Sequence, residues 1–188
     1  MNHKIILASK SPRRSQLLEQ AGFNFVIKTK EVEEDFPDTM LVAEVAAFLA
    51  DKKAEACRDF LTDENEILLT ADSTVVLGDA IYNKPENFDH ACRMLEALSG
   101  QKHTVYTGVC LLSLSRKKVF TGVSHVHFDP LSRAEIEHYV DHYKPYDKAG
   151  AYAVQECIGL CKISKIEGTY ANIMGLPVDL VYKELMAW

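Results

Sequence analysis

The chain opens on a short apolar run, Ile5 to Ala8, flanked by polar residues, the pattern of a buried strand. After Ser9-Lys10 comes Ser11, a good helix N-cap, then Pro12, a good first helical residue, and an amphipathic stretch to Ala21 that Gly22 stops. Phe23 to Lys28 alternates like an edge strand and leads into the acidic stretch Glu31-Val32-Glu33-Glu34-Asp35. A long helix is predicted from about Thr39 to Arg58, because Val42, Val45, Ala46 and Leu49 recur at helical spacing. Lys53 falls on that apolar stripe, within about 30° of its centre, whereas Lys52 lies further off it. A lysine on the buried side of a helix needs an anionic partner.

Ile67 to Ala71 reads as a strand ending at Asp72; Thr74 to Leu77 continues it to a Gly78-Asp79 turn, and Lys84-Pro85 closes a hairpin-like unit. A helix from about Asp89 to Leu98 ends at Ser99-Gly100. Two strand-like runs, Thr104 to Leu114 and Lys118 to Phe128, flank the polar turn Ser115-Arg116-Lys117. Ser132 and Glu135 form a capping box that opens a helix to about Tyr143. The last third reads as a loop from Lys144 to Gly150, strands around Tyr152 to Gln155 and Leu160 to Ile166, and a turn from Asn172 to Pro177 before a C-terminal helix. No repeat, low-complexity tract or linker interrupts this order. The expected architecture is α/β: a single domain over residues 1–188, with a long twisted mixed sheet, helices on both sides, and two lobes around a central cleft.

Composition narrows the classes. At 188 residues, 47% hydrophobic and 26% charged, the chain has the balance of an ordinary soluble protein and can bury a core without disulfides or a structural metal. A formal charge of −6 argues against nucleic acid as a partner. The five cysteines, Cys57, Cys92, Cys110, Cys157 and Cys161, form no C-x-x-C pair and read as reduced thiols. Cys157 and Cys161 fall in a strand-like region and are expected to pack as small apolar residues. No signal-peptide core and no run of ~20 apolar residues is present, so a cytoplasmic location without membrane association is expected.

In so acidic a chain a local basic cluster stands out. Ser9-x-Ser11-Pro12-Arg13-Arg14 lies where a strand hands over to a helix N-terminus, which offers free N–H groups and the positive end of a dipole. Two hydroxyls and two guanidinium groups there suit an anion, and Arg suits bidentate phosphate contacts; a capped helix with solvated arginines is the plainer alternative. The Gly-rich P-loop string is absent. Asp72 stands at the carboxyl end of an apolar strand, where α/β proteins place catalytic and metal-binding groups, although a turn-forming Asp remains open. Glu34 could join it as a hard oxygen ligand for a divalent ion, or belong to a solvated acidic run. Lys53 and Lys84 are further cations; Lys84 precedes Pro85, which keeps its backbone extended. Together with Arg13 and Arg14 they could clamp and neutralise a triphosphate. The histidines read differently. His125 and His127 share one strand face and His138 and His142 are one helical turn apart, but position 139 is Tyr, not the Glu of H-E-x-x-H, so both pairs are read as surface or interface groups.

The chain resembles the Maf family of nucleotide pyrophosphatases. The resemblance rests on Leu7-Ala8-Ser9-x-Ser11-Pro12-Arg13-Arg14, Ala71-Asp72-Ser73-x-Val75-Val76, Lys84-Pro85, Leu98-Ser99-Gly100-Gln101-x-His103, Asp147-Lys148-Ala149-Gly150-Ala151-Tyr152-x-x-Gln155 and Gly175-Leu176-Pro177. It implies a fold related to that of inosine triphosphate pyrophosphatases, a homodimer, and cleavage between α- and β-phosphates with a divalent cation, Mg²⁺ or Mn²⁺. It also implies that the family's essential aspartate falls on Asp72, its acidic partner on Glu34, its lysines on Lys53 and Lys84, and its phosphate-binding arginines on Arg13 and Arg14. The metal ligands would be Asp72 and Glu34, and Ser9, Ser11, Ser73 and Gln155 would complete the substrate contacts. The branch acting on dTTP and UTP carries Arg, Thr or Ser, and Gln at the positions of Arg13, Ser73 and Gln155. The branch acting on 7-methyl-GTP has an aromatic residue, Gln and Glu there. This chain matches the first branch at all three, although Glu156-Cys157-Ile158 follows Gln155 where a Gly is common. The rival expectations are 7-methyl-GTP cleavage and a non-catalytic nucleotide-binding regulator of cell division.

Overall fold

The computed structural model describes residues 3–188. In chain order its elements are β1 (Lys4–Leu7), α1 (Pro12–Gln20), β2 (Phe25–Ile27), α2 (Val45–Ala56), β3 (Glu66–Leu77), β4 (Ala80–Tyr82), α3 (Phe88–Leu98), β5 (Lys102–Leu112), β6 (Lys117–Phe128), α4 (Arg133–Tyr143), α5 (Cys157–Lys162), β7 (Ile163–Glu167), α6 (Tyr170–Met174) and α7 (Val178–Met186). The strands form one seven-stranded sheet in the order β2-β1-β3-β5-β6-β7, with β4 paired to β3. It is mixed, as expected of this α/β chain: β1 runs parallel to β2 and β3, whereas β4 on β3 and β7 on β6 are antiparallel. Ile5–Leu7 of β1 and the stretch of β3 paired with them, Ile67–Leu69, are apolar without a break because both faces are buried. Among the described residues no helix is long and apolar enough to cross a membrane.

The chain forms two compact units. The first runs to Asp72 and includes Thr107–Gly122 and Gly175–Trp188; the second comprises Ser73–Tyr106 and Val123–Met174. In the first, Ala50, Ala54 and Cys57 from α2 and the segment after it pack on Ile6, Leu68, Cys110 and Leu112. The helix lies close to the sheet because β5 offers Gly108 at the contact; a Cβ there would overlap the backbone of Ala46 and Ala47. Buried Thr70 on β3 donates its hydroxyl to the Ala50 carbonyl at 2.7 Å. In the second unit α3 supplies Ala91, Leu95 and Leu98, α4 supplies Ile136, Tyr139 and Val140, and both pack on Val105, Val126, Phe128 and Tyr152. His103 is buried among them, with Nε2 2.7 Å from the Tyr152 hydroxyl and its ring edge-on to Phe128.

Several sequence expectations need correction. The helix read from Thr39 begins only at Val45: the preceding backbone closes short turns, Met40 N–H to Pro37 O and Glu44 N–H to Leu41 O, and Val42 is only half-buried. Its other end breaks at Cys57 into a 3₁₀ turn, Arg58–Phe60. Ser11 holds the N-cap position of α1, but its side chain makes no capping bond. The strand expected at Tyr152–Gln155 is irregular, and the one expected from Leu160 begins at Ile163, because Cys157–Lys162 is helix α5. Cys157 and Cys161 are accordingly exposed on that helix rather than packed. The two runs read on either side of Asp72, Ile67–Ala71 and its continuation Thr74–Leu77, are one unbroken strand, β3, which passes through Asp72 and ends at Leu77 as expected. The Ser132/Glu135 capping box is present in full.

Two predictions follow from the packing. Gly108→Ala should destabilise the protein by about 2 kcal/mol or more, because backbone rather than a flexible side chain must yield; a thermal melt should show Tm lower by roughly 4–8 °C. Burial pulls the His103 imidazole down to about 4. Between that value and the ordinary value near 6.5 the unfolded chain binds a proton that the folded chain refuses, so stability rises with pH across this window. Denaturant titrations from pH 4 to 7 should therefore show a slope that flattens in His103→Phe, the full difference being on the order of 3 kcal/mol.

Candidate functional site

The charged site of the first unit grows from three backbone features. β1 ends at Leu7, and the chain then passes through Ser9 into α1, placing Arg13 and Arg14 in the first helical turn. β3 pairs with β1 only as far as Leu69, so Asp72 stands three residues beyond the parallel pairing, past the carboxyl end of β1. α2 carries Lys53 on the side facing the sheet. The reasoning that put a carboxylate at a strand's carboxyl end thus holds for the parallel ladder, though not for β3 itself.

Lys53 joins the acidic groups. Its ammonium donates to Glu34 Oε1 at 2.7 Å and also to Asp72 Oδ1. The Lys53 and Asp72 side chains are only 16% and 11% exposed, while Glu34 is 43% exposed. The arrangement satisfies the requirement of a lysine on an apolar helix face. Lys52, one residue away, turns outward to Asp35. Arg14 donates from Nε to the Gly175 carbonyl at 2.8 Å and from Nη1 to Ser9 Oγ at 3.3 Å. Ser9 Oγ also accepts the Ser11 N–H at 3.2 Å. Burial lowers the Arg14 guanidinium pKa; Asp72 and Glu34 act in the opposite sense and Arg13 in the same one. These groups therefore lie within electrostatic reach of each other. Arg13, Arg14 and Lys53 outnumber Asp72 and Glu34 by one, a local positive excess in a chain of formal charge −6. Such a site favours an anion, and its buried members feel little screening.

In the second unit, Ser73 follows Asp72 on β3 and is half-buried, and the Thr74 hydroxyl is buried without a partner. Lys84 is exposed between Asn83 and buried Pro85. The Asn83 carbonyl accepts the Gly150 N–H at 3.3 Å, tying this corner to the 147–151 loop. Gly150 has φ +70°, and a Cβ there would press on Val75. Gln155 is half-buried in a turn closed by the Glu156 N–H donating to the Ala153 carbonyl at 3.1 Å, and its Oε1 is buried without a partner.

The sequence-predicted Ser9, Arg13, Arg14, Glu34, Lys53 and Asp72 thus belong to one unit and interact, while Ser73, Lys84 and Gln155 belong to the other. Sequence reasoning missed the Gly175 carbonyl that holds Arg14. It also gave no role to Lys148, which is buried and paired with Asp147 and Glu156; a lysine beside Ala149-Gly150-Ala151 was the available signal. Tyr139 and Glu156 had none, because they meet only through the fold.

The histidine pairs are surface or partly buried groups. His125 bonds Thr104, His127 bonds Glu167, and His138 and His142 stack on the exposed face of α4. Among the described residues no three His, Cys, Asp or Glu side chains cluster to hold a metal. Asp72 and Glu34 nevertheless converge on one cation, the Lys53 ammonium, and supply hard carboxylate oxygens. That donor set fits a Mg²⁺-like ion, which is commonly held by one or two carboxylates with substrate phosphates as the other ligands.

The family model described as Maf-like protein matches residues 4–188. The chain belongs to the Maf family. It is 45% identical over 184 residues to the dTTP/UTP pyrophosphatase of Bacteroides thetaiotaomicron, covering 97% of this chain and 95% of the relative. It is 42% identical over 185 residues to the dTTP/UTP pyrophosphatase of Flavobacterium psychrophilum, covering 98% and 94%. Among solved structures, the Staphylococcus aureus Ham1 protein matches 66% of this chain and 71% of its own at 14% identity, with a TM-score of 0.49.

Lys53 holds two carboxylates in this family member, whereas Lys52 holds one exposed carboxylate. Lys53→Met should cost about 1–3 kcal/mol by leaving Asp72 buried without its cation. Lys52→Met should stay within about 0.5 kcal/mol. Chemical denaturation of the two variants side by side checks the difference; equal losses would contradict the geometry.

Proposed function

We propose that this protein is a nucleoside triphosphate pyrophosphatase that hydrolyses dTTP and UTP, with modified pyrimidine nucleotides as further candidates, to the monophosphate and diphosphate. The observation that carries the reading is the joining of Lys53 to both Asp72 and Glu34, beside Arg14 and Arg13. Such a group can bind a polyanion and still present a carboxylate base. Near-full-length relatives named dTTP/UTP pyrophosphatase support the substrate, as does the set Arg13, Ser73 and Gln155.

Asp72 and Glu34 would hold the divalent cation, Mg²⁺ or Mn²⁺. Bound there, such an ion neutralises phosphate charge and acidifies coordinated water. Arg13, Arg14, Lys53 and Lys84 bind the phosphates and stabilise the charge that grows on the leaving group, and Ser9 and Ser11 add hydroxyl contacts. An Asp72 carboxylate oxygen takes the proton from the attacking water. Water oxygen bonds to the α-phosphorus, the bond from that phosphorus to the α–β bridging oxygen breaks, and pyrophosphate departs. Gln155 reads the base: its amide offers one acceptor and one donor, matching the N3–H and O4 edge of uracil and thymine. The reading carries with it a cytoplasmic homodimer that acts on free nucleotides. The free thiols, three buried and two exposed, are in keeping with a reducing compartment.

Pyrophosphate release should be measured with dTTP, UTP, CTP, GTP and 7-methyl-GTP in Mg²⁺ or Mn²⁺. dTTP and UTP should be turned over fastest, EDTA should abolish release, and Asp72→Asn should lower kcat by on the order of 10²–10⁴-fold while the fold is kept. Tight UTP binding without pyrophosphate release would favour a nucleotide-binding regulator, and preference for 7-methyl-GTP would move the chain to the other branch.

A further inference from the structure

The turn that carries Gln155 is held by side chains that sequence reasoning left without a role. Its first residue, Ala153, donates its N–H to the Tyr139 hydroxyl at 3.1 Å, and that hydroxyl donates to Glu156 Oε2 on the turn's last residue. One phenol group from α4 therefore spans the turn from end to end, while the Glu156 N–H closes it on the Ala153 carbonyl. The second Glu156 oxygen lies 3.4 Å from the Lys148 ammonium, which also binds Asp147 at 2.8 Å. Tyr139 is 2% exposed and its ring is locked in the core of the second unit. Burial and the neighbouring Glu156 both raise its hydroxyl pKa, so it remains a donor at neutral pH.

Packing restricts the turn from its other side. α5 seats on it at Gly159, where a Cβ would overlap the carbonyls of Ala153 and Val154. Tyr152, Ala153 and Val154 are buried, so the turn has little room to shift. Within it the Gln155 Oε1 is buried and without a partner. An acceptor left in that state costs about 1–3 kcal/mol, a cost that is removed when the side chain rotates, on an unmoved backbone turn, to meet a ligand's N–H donor. An acceptor carried on so fixed a turn separates uracil, whose N3 carries a proton, from cytosine, whose N3 is an acceptor. The separation lasts only while the turn keeps the Gln155 backbone from shifting and so limits the poses open to the amide.

We propose that Tyr139, Glu156 and Lys148 are positioning residues that strap the 153–156 turn, and so fix the Gln155 amide for base selection. The strap rests on the assignment of Gln155 to the base. It acts through that residue, and its loss relaxes selectivity and weakens binding rather than slowing the chemical step.

Tyr139→Phe keeps the buried ring and removes only the hydroxyl. The ratio of kcat/KM for UTP over CTP should fall about tenfold, carried by a higher KM for UTP with kcat within about twofold. Glu156→Ala should reproduce the effect. Glu156→Gln, which keeps an oxygen for the Tyr139 hydroxyl, should stay within about threefold of the parent. Gln155→Ala is measured beside them. If Gln155→Ala lowers the ratio but folded Tyr139→Phe and Glu156→Ala leave it unchanged, the strap is overturned and the base assignment stands. If Gln155→Ala also leaves it unchanged, both fall. Should Tyr139→Phe fail to fold, as read by circular dichroism, the Glu156 pair decides the matter by the same ratio.

Discussion

Lys53 has to satisfy two demands at once, and the first unit is arranged around that. Its stem lies on the apolar side of α2, which must bury Ala50 and Ala54 against the sheet, so its ammonium is carried toward the sheet rather than to solvent. A nearly buried ammonium is tolerable only beside negative charge, and Asp72 on β3 and Glu34 from the acidic stretch supply it. The same contact explains why a nearly buried carboxylate is kept on β3 at Asp72. Charge groups held in this way are arranged before any ligand arrives, which is the condition for electrostatic stabilisation without reorganisation.

The fold sets the position of that contact through close approaches rather than through bulk. Gly108 lets α2 sit against β5, and the Thr70 hydroxyl fastens the Ala50 carbonyl from β3. On the opposite charge, Arg14 is steadied by the Gly175 carbonyl and by Ser9. Two of its N–H groups are thus committed to holding the side chain in place. The second unit uses the same logic with neutral partners: His103 bonds Tyr152 in the core, and the Tyr139 hydroxyl bridges the ends of the turn that bears Gln155.

Where sequence reading failed, it failed for short segments. Cys157-Ile158-Gly159-Leu160-Cys161 is an apolar run whose length suits either a strand or a helical turn, and nothing within it chooses. Gly159 meeting the carbonyls of Ala153 and Val154 belongs to the helical arrangement, which also turns Cys157 and Cys161 outward. The extra turn given to α2 at its start failed for a related reason: Val42 extends the periodic pattern, but burial begins only at Val45.

The sequence by itself determined the mixed α/β class, the long α2 stripe, the capping box at Ser132 and the family membership carried by motifs spread from Leu7 to Pro177. These are local or repeated signals: periodicity, caps and short strings each act within a few residues of themselves. It also singled out Lys53 over Lys52, because angular position on a helix is fixed by spacing alone. Tertiary structure alone decided which acids Lys53 would meet, that Gly175 would hold Arg14, and that Tyr139 would bind both Ala153 and Glu156. Those pairings join residues 14 to 161 positions apart, and no spacing rule links such positions until packing of the apolar faces has fixed where each backbone runs.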